Sequence, residues 1–321
     1  MKRLIALLSA LLLSLSLVSC TEAEPQKSGK LQLIATLFPY YDLAKTVAGE
    51  KAEVTLLLGA GRESHSYEPT PKDILRITEA DLFLYNGGVD ETWASELLES
   101  TDHGSVFAGM DYVEALEEEE PEGSTNHEHG HEHGEDHDHG EEQEIEYDEH
   151  IWTSPKNMMR LASGFTALLS SVDPANAAYY EDNLQAYLAE LTALDEAFTA
   201  LAAETGYPTL LFGDRFPFLY FCEEYGFGYE AAFLGCSTET EPSAATMVSL
   251  IESARAQQGG YVYYLENSSA RVADAVAEAA GCETAMLCSC QSITREDFDN
   301  GETYLSLMWR NYDILRKGTA R

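Results

Sequence analysis

Six of the nine histidines of this 321-residue chain, His127, His129, His131, His133, His137 and His139, alternate with acidic residues and glycines in one short tract. Imidazoles and carboxylates at that density are donors for borderline transition metals, zinc first among them. The surrounding stretch carries sixteen Asp and Glu between Leu116 and His150 and shows no apolar periodicity. It cannot bury enough surface to offset its ordering entropy, so a disordered acidic loop over 116–147 is expected, whether as a metal-gathering segment or as a solvated linker.

Two further histidines stand in parallel contexts. His65 lies in Gly61-Arg-Glu-Ser-His65-Ser-Tyr-Glu-Pro-Thr70-Pro71, and His150 in Tyr147-Asp-Glu-His150-Ile-Trp-Thr-Ser154-Pro155. Each precedes a Ser/Thr-Pro pair that reads as the N-cap and first residue of a helix. A lone loop histidine is usually an incidental surface residue. Two at matching strand-to-helix junctions point instead to metal ligands.

The elements that would position them follow a βαβ pattern. Strand-like runs cover Leu31–Thr36, Val54–Leu58 and Leu82–Asn86, and resume at Thr209–Phe212, Tyr229–Phe233, Tyr261–Leu265 and Glu283–Leu287, with helices expected at Ser243–Gln257, Ala270–Ala280 and Tyr304–Leu315. The fold class is therefore α/β, with two Rossmann-like lobes spanning residues 31–172 and 205–321. Between them, over 173–204, Asp173-Pro174 opens a run with Tyr180, Leu184, Tyr187, Leu188, Leu191, Leu194, Phe198 and Leu201 at helical spacing. One long helix, roughly 45 Å at 1.5 Å per residue, is expected to join the lobes as a stiff hinge. In open α/β sheets ligands bind beyond the carboxyl ends of the strands, which is where both histidines fall.

Several segments together resemble the zinc/manganese solute-binding lipoproteins of ABC importers. They are Leu37-Phe-Pro-Tyr-Tyr-Asp-Leu-Ala44, Glu63-Ser-His65-Ser-Tyr-Glu-Pro-Thr-Pro-Lys-Asp73, Ala80-Asp-Leu-Phe-Leu-Tyr-Asn-Gly-Gly88, Asp148-Glu-His150-Ile-Trp-Thr-Ser-Pro-Lys-Asn157, Asp173-Pro-Ala-Asn-Ala-Ala-Tyr-Tyr180 and Gly235-Cys-Ser-Thr-Glu-Thr-Glu-Pro242. The resemblance covers nearly the whole mature chain. It implies a metal site in the cleft between two lobes, delivery to a membrane permease with its ATPase, and His65 and His150 as the ligands of the first lobe. The third family position, at a helix start, falls on Arg215 in Gly213-Asp-Arg-Phe-Pro-Phe-Leu-Tyr220. A guanidinium offers no acceptor, so Asp214 becomes the candidate, against the alternative that it caps the helix. The fourth falls near Cys288-Ser-Cys290-Gln291, where Cys288 is a candidate thiolate ligand, unless Cys288 or Cys290 forms a disulfide with Cys236; Glu239, Glu241 and Glu266 are reserve oxygen donors. Imidazole and thiolate favour Zn2+, with Mn2+ the alternative if carboxylates complete the site.

The N-terminus speaks to the compartment. Lys2-Arg3, an apolar run from Leu4 to Leu17 and Leu17-Val-Ser-Cys20 read as a lipoprotein signal peptide over 1–19, with Cys20 lipidated and 20–30 as a tether. The chain is then expected on the extracytoplasmic face of the cell membrane, as a monomer by default. A formal net charge of −37 argues against nucleic acid as a partner. Five cysteines remain beyond Cys20, and their pairing is not legible in sequence. A zinc hydrolase has neither a His-Glu-x-x-His nor a Gly-x-Ser-x-Gly segment to rest on, while a surface adhesin or metal buffer remains a competitor that sequence separates poorly from an importer subunit.

Overall fold

Short runs of apolar residues pair in parallel to build two four-stranded sheets. The structure, a computed structural model, describes residues 29–62, 67–118, 147–206, 208–235, 241–257 and 260–319. In the first lobe the strands are β1 (Leu31–Ala35), β2 (Ala52–Leu56), β3 (Leu82–Tyr85) and β4 (Ser105–Ala108), all parallel in the order β2-β1-β3-β4. The second lobe repeats the plan with β5 (Thr209–Phe216), β6 (Gly228–Leu234), β7 (Tyr261–Leu265) and β8 (Glu283–Leu287), in the order β6-β5-β7-β8. Parallel strands need crossovers, and the helices supply them. They are α1 (Phe38–Ala48), α2 (Pro71–Glu79), α3 (Thr92–Ser100), α4 (Pro155–Val172), α5 (Ala177–Thr205), α6 (Leu219–Tyr225), α7 (Ala244–Gln257), α8 (Arg271–Ala280), α9 (Arg295–Asn300) and α10 (Tyr304–Thr319).

The expected helix starts are present. Thr70 accepts the Asp73 amide and Asp73 reaches back to the Thr70 amide, a full capping box ahead of Pro71. Ser154 accepts the Asn157 amide ahead of Pro155. The joining helix is also there, with two amendments. Pro174–Asn176 forms a separate 3-10 turn, and Asp173 binds Asn176 Nδ2 at 2.6 Å and the Tyr180 hydroxyl at 2.7 Å rather than capping backbone amides. Helix α5 therefore begins at Ala177; its 29 residues span about 43 Å. Tyr180, Leu184, Tyr187, Leu191, Leu194, Phe198 and Leu201 are buried, as their spacing predicts, and Leu188 is half-buried.

Helix α5 packs on α4 and α1 of the first lobe and on α6 and α10 of the second. One hydrophobic cluster consequently runs from Leu33, Trp152 and Phe165 through Phe198 to Phe212, Tyr263 and Leu307. Each fully buried side chain of this size contributes about 1.5–3 kcal/mol of transfer free energy. The chain after β8 returns to the first lobe. Phe38 N–H donates to the Gln291 carbonyl (3.3 Å), Gly61 N–H to that of Ile293 (2.7 Å), and Tyr304 N–H to Asp42 Oδ2 (3.0 Å).

Candidate metal centre

His150 is placed by the turn that precedes α4. Asp148 Oδ1 accepts the His150 amide at 2.8 Å and stands 3.3 Å from its Nδ1. The following residues, Ile151–Thr153, are a 3-10 turn, and Thr153 returns both its N–H and its hydroxyl to the His150 carbonyl. Trp152 is fully buried, its ring centroid 5.7 Å from that of His150, and its Nε1–H donates to the Ser289 carbonyl at 2.8 Å. The indole fills the core directly behind the histidine.

His150 is only 1% exposed. Burial opposes the charged imidazolium, but the Asp148 carboxylate, with Asp90 and Glu118 further out, outweighs it and the His150 pKa is raised. Its neighbour Glu149 is pushed up to about 7, first by burial and then by the Asp90 charge. Glu149 Oε1 accepts the amides of Val89 and, at 3.2 Å, Asp90, which holds the turn after β3 against the His150 segment. Gly88 has φ +87°, and a Cβ there would lie 2.3 Å from Glu149 Oε1, so only glycine lets the carboxylate in.

Across from His150, a cavity of about 280 Å³ is walled by the second lobe, including Asp214, Arg215, Glu266, Ser289 and Gln291. Asp214 is 7% exposed, and its carboxylate accepts Arg215 N–H at 2.8 Å and Leu265 N–H at 3.0 Å. It does not cap a helix. Strand β5 runs on through a register shift between Phe212 and Arg215 to Phe216, and α6 starts only at Leu219 after Phe218, without a side-chain cap. Glu266, one of three reserve donors in sequence, is 6% exposed at the cavity wall. Burial pushes its pKa up to about 7 against the pull of the Ser289 hydroxyl (2.6 Å) and amide (2.7 Å).

Cys288 requires a correction. It is 1% exposed, turned into the core, and absent from the cavity wall. Its amide donates to Asn311 Oδ1 (2.8 Å) and its carbonyl accepts Asn311 Nδ2 (2.7 Å), a bracket that fixes Cys288 against α10 and leaves Ser289 facing the cleft. Glu241 is a surface residue, 3.7 Å from Arg271 in a pair that is mostly exposed. His65, Glu239, Cys20, Cys236 and the six histidines of the acidic tract, His127, His129, His131, His133, His137 and His139, lie outside the described residues. Among the described residues no three His, Cys, Asp or Glu side chains stand close enough to hold a metal ion. The described cavity wall thus carries His150 from the first lobe and the carboxylates of Asp214 and Glu266 from the second.

The base of the acidic tract is tied to both lobes. Glu117 and Tyr147 form an antiparallel bridge, and Asp148 N–H donates to the Leu116 carbonyl at 2.9 Å. From the second lobe, Gly235 N–H donates to Glu118 Oε1 at 2.6 Å, and the Tyr220 hydroxyl donates to the Asp148 carbonyl at 2.9 Å while accepting Leu116 N–H at 3.1 Å. Sequence reasoning passed over Asp148, Glu118 and Tyr220. Asp148 had a signal, its place two residues before His150; the other two act across the lobes and had none.

Two parallel-sheet lobes sharing a long helix, with polar side chains facing one another over a cleft, are the architecture of the solute-binding component described for the matching family. The chain belongs to the ZnuA family, described as zinc-uptake complex component A, periplasmic, whose model matches residues 33–318. It is 35% identical over 318 residues to the zinc-binding lipoprotein AdcA of Streptococcus pneumoniae, covering 98% of this chain and 61% of that protein's length. It is 34% identical to the high-affinity zinc uptake system protein ZnuA of Bacillus subtilis over 90% of this chain and 88% of that one. The Zn(II)-bound ZnuA-like domain of Streptococcus pneumoniae AdcA superposes with a TM-score of 0.73 at 30% identity, covering 91% of this chain and all of that domain. Among the described residues no helix is long and apolar enough to cross a membrane.

Proposed function

We propose that the protein captures Zn2+ outside the cytoplasm and hands it to an ABC-type permease driven by its ATPase, as a monomer held to the membrane by a lipid on Cys20. The observation that carries this reading is His150, buried at the cleft wall with Asp148 behind its Nδ1 and the carboxylates of Asp214 and Glu266 lining the opposite side. A carboxylate behind one ring nitrogen fixes the tautomer and leaves Nε2 as the donor, the usual outer-shell arrangement of a zinc histidine. His65 joins His150 from the first lobe, and Asp214 or Glu266 supplies oxygen from the second. The acidic histidine tract collects zinc weakly and in several equivalents, raising its concentration at the cleft. No covalent chemistry is involved; binding and release are the activity.

Two imidazoles favour zinc over manganese, whereas carboxylates on the facing wall suit both. Calorimetric titration with zinc under manganese competition tests the assignment. One tight zinc equivalent is expected, lost when His65 and His150 are both replaced by alanine. Tight one-to-one zinc binding by that double variant would refute the proposal.

A further inference from the structure

Cys288 and Cys290 lie side by side in the core, 1% and 0% exposed, with their sulfurs 3.9 Å apart. Residues two apart in an extended strand are separated by about 6.6 Å. Here β8 ends at Leu287 and Cys290 adopts the left-handed backbone region at φ +62°, which curls the chain and draws the second sulfur back toward the first. Among the described residues neither thiol has a disulfide partner, and neither lines the cleft cavity.

The residue between them connects the pair to the cleft. Ser289 gives its amide and hydroxyl to Glu266, and its carbonyl receives the indole N–H of Trp152, which lies behind His150. Both cavity walls therefore meet at the peptide flanked by the two thiols.

We propose that Cys288 and Cys290 form a redox-reversible dithiol whose oxidation to an intramolecular disulfide weakens zinc binding in the cleft. Forming the bond brings the sulfurs from 3.9 Å to about 2.05 Å. That closure pulls on Ser289, turning Glu266 and Trp152 away from their present positions. Both thiols are buried, so the oxidant is a small hydroperoxide admitted when local opening of the turn after β8 uncovers the pair. One thiol sulfur takes an oxygen from hydrogen peroxide as a sulfenic acid, releasing one water; the other sulfur displaces that oxygen as a second water and the S–S bond forms. Two electrons pass from sulfur to peroxide oxygen, and both thiol protons end in water. A compartment outside the cytoplasm lets such a bond persist. The effect on zinc rests on the cleft being the metal site, whereas the thiol chemistry does not.

The test uses the full chain treated with hydrogen peroxide, then with a reductant. Peptide mapping without reduction should recover residues 288 and 290 in one linked peptide, lighter by two hydrogen atoms, and reductant should restore it. Tryptophan emission should shift with the same time course, and calorimetry should show zinc affinity at least tenfold weaker in the oxidised form. Cys290→Ser should bind zinc like the reduced native chain and show no response to peroxide; if it does not fold, Cys288→Ser takes its place. Linkage of either thiol to Cys236 or another cysteine, or thiols that remain alkylatable after denaturation, would overturn the proposed pairing. A correct linkage with unchanged zinc affinity would overturn the coupling. Reduced protein with no tight zinc site would instead refute the receptor reading and leave the dithiol chemistry standing.

Discussion

The hydroxyl of Tyr220, on α6 of the second lobe, donates to the carbonyl oxygen of Asp148 in the first lobe at 2.9 Å, two residues before the histidine that faces the cleft. Because the same hydroxyl accepts Leu116 N–H, one side chain closes the base of the acidic tract and braces the Asp148–His150 turn. Removing it with Tyr220→Phe leaves the ring packing in place and deletes only the hydrogen bonds. A buried hydrogen bond lost in this way costs about 1 kcal/mol, with about 1–3 kcal/mol possible where a partner is left unsatisfied. Zinc affinity measured by calorimetry should fall about 5-fold to 10-fold, with stoichiometry unchanged. Affinity equal to the native chain would show that Tyr220 does not brace the site.

Proton competition at His150 should be visible in the pH dependence of zinc binding. Metal takes the neutral imidazole, and the pKa of His150 lies above the ordinary histidine value because Asp148, Asp90 and Glu118 outweigh burial. Affinity should therefore begin to drop above the usual pH of about 6.5 as the solution is acidified. Asp148→Asn removes the leading favourable charge, so the drop should move to lower pH. The same change should weaken zinc binding about 10-fold to 100-fold at neutral pH through loss of orientation of the ring. A pH profile that Asp148→Asn does not move would mean that another group sets it.

Where the acidic tract is cut matters, because Glu118 belongs to the folded part. Its carboxylate accepts Gly235 N–H at 2.6 Å, whereas residues 119–146 contain all six clustered histidines. A chain lacking 119–146 should keep the tight zinc equivalent and lose the weaker, multiple ones. Extending the cut to 117–146 removes the Glu117–Tyr147 bridge and the Glu118 contact as well, and should weaken the tight site too. Identical titrations for the two deletions would show that the base of the tract is irrelevant to the cleft.

Arg310 on α10 grips Asp297 of α9 through two hydrogen bonds of 2.7 and 3.0 Å, and this pairing, with Thr294, holds the Asp297 carboxyl below its usual pKa. A depressed carboxylate pKa contributes stability that is present above the unfolded value, about 3.9, and is lost as pH falls through the folded value. Arg310 is about a third exposed, so solvent screening limits the pair to about 1 kcal/mol. Arg310→Gln should lower the urea midpoint at pH 7 and have a progressively smaller effect as the pH is taken below the unfolded carboxylate value. Equal losses across that range would assign the effect to packing of the arginine stem instead.

Much of the architecture was legible because it rests on local chemistry. The Thr70-Pro71 and Ser154-Pro155 starts and seven of the eight buried positions of α5, all but Ala202, follow from capping and from helical spacing. Strand β4 escaped because Ser105–Ala108 is four residues long with only Phe107 fully buried, too short to show a period. The site was legible on one side only. His150 announces itself by its sequence context, whereas Asp214 was expected beside a helix start and sits in a strand that a bulge carries on to Phe216. Whether Cys288, Ser289 or Cys290 faces the cleft depends on a left-handed turn at Cys290 and on Asn311 of a distant helix. No periodicity encodes either.

The cluster that runs from Leu33 through Phe198 to Leu307 has a mechanical consequence. Receptors whose halves swing widely apart keep separate interiors, so that opening breaks few apolar contacts. Here the halves share one interior, and wide opening would bring core side chains into water at about 25 cal/mol for every Å² uncovered. Small displacements of the turns that rim the cleft leave that shared cluster intact, and heat should melt both halves in one cooperative step.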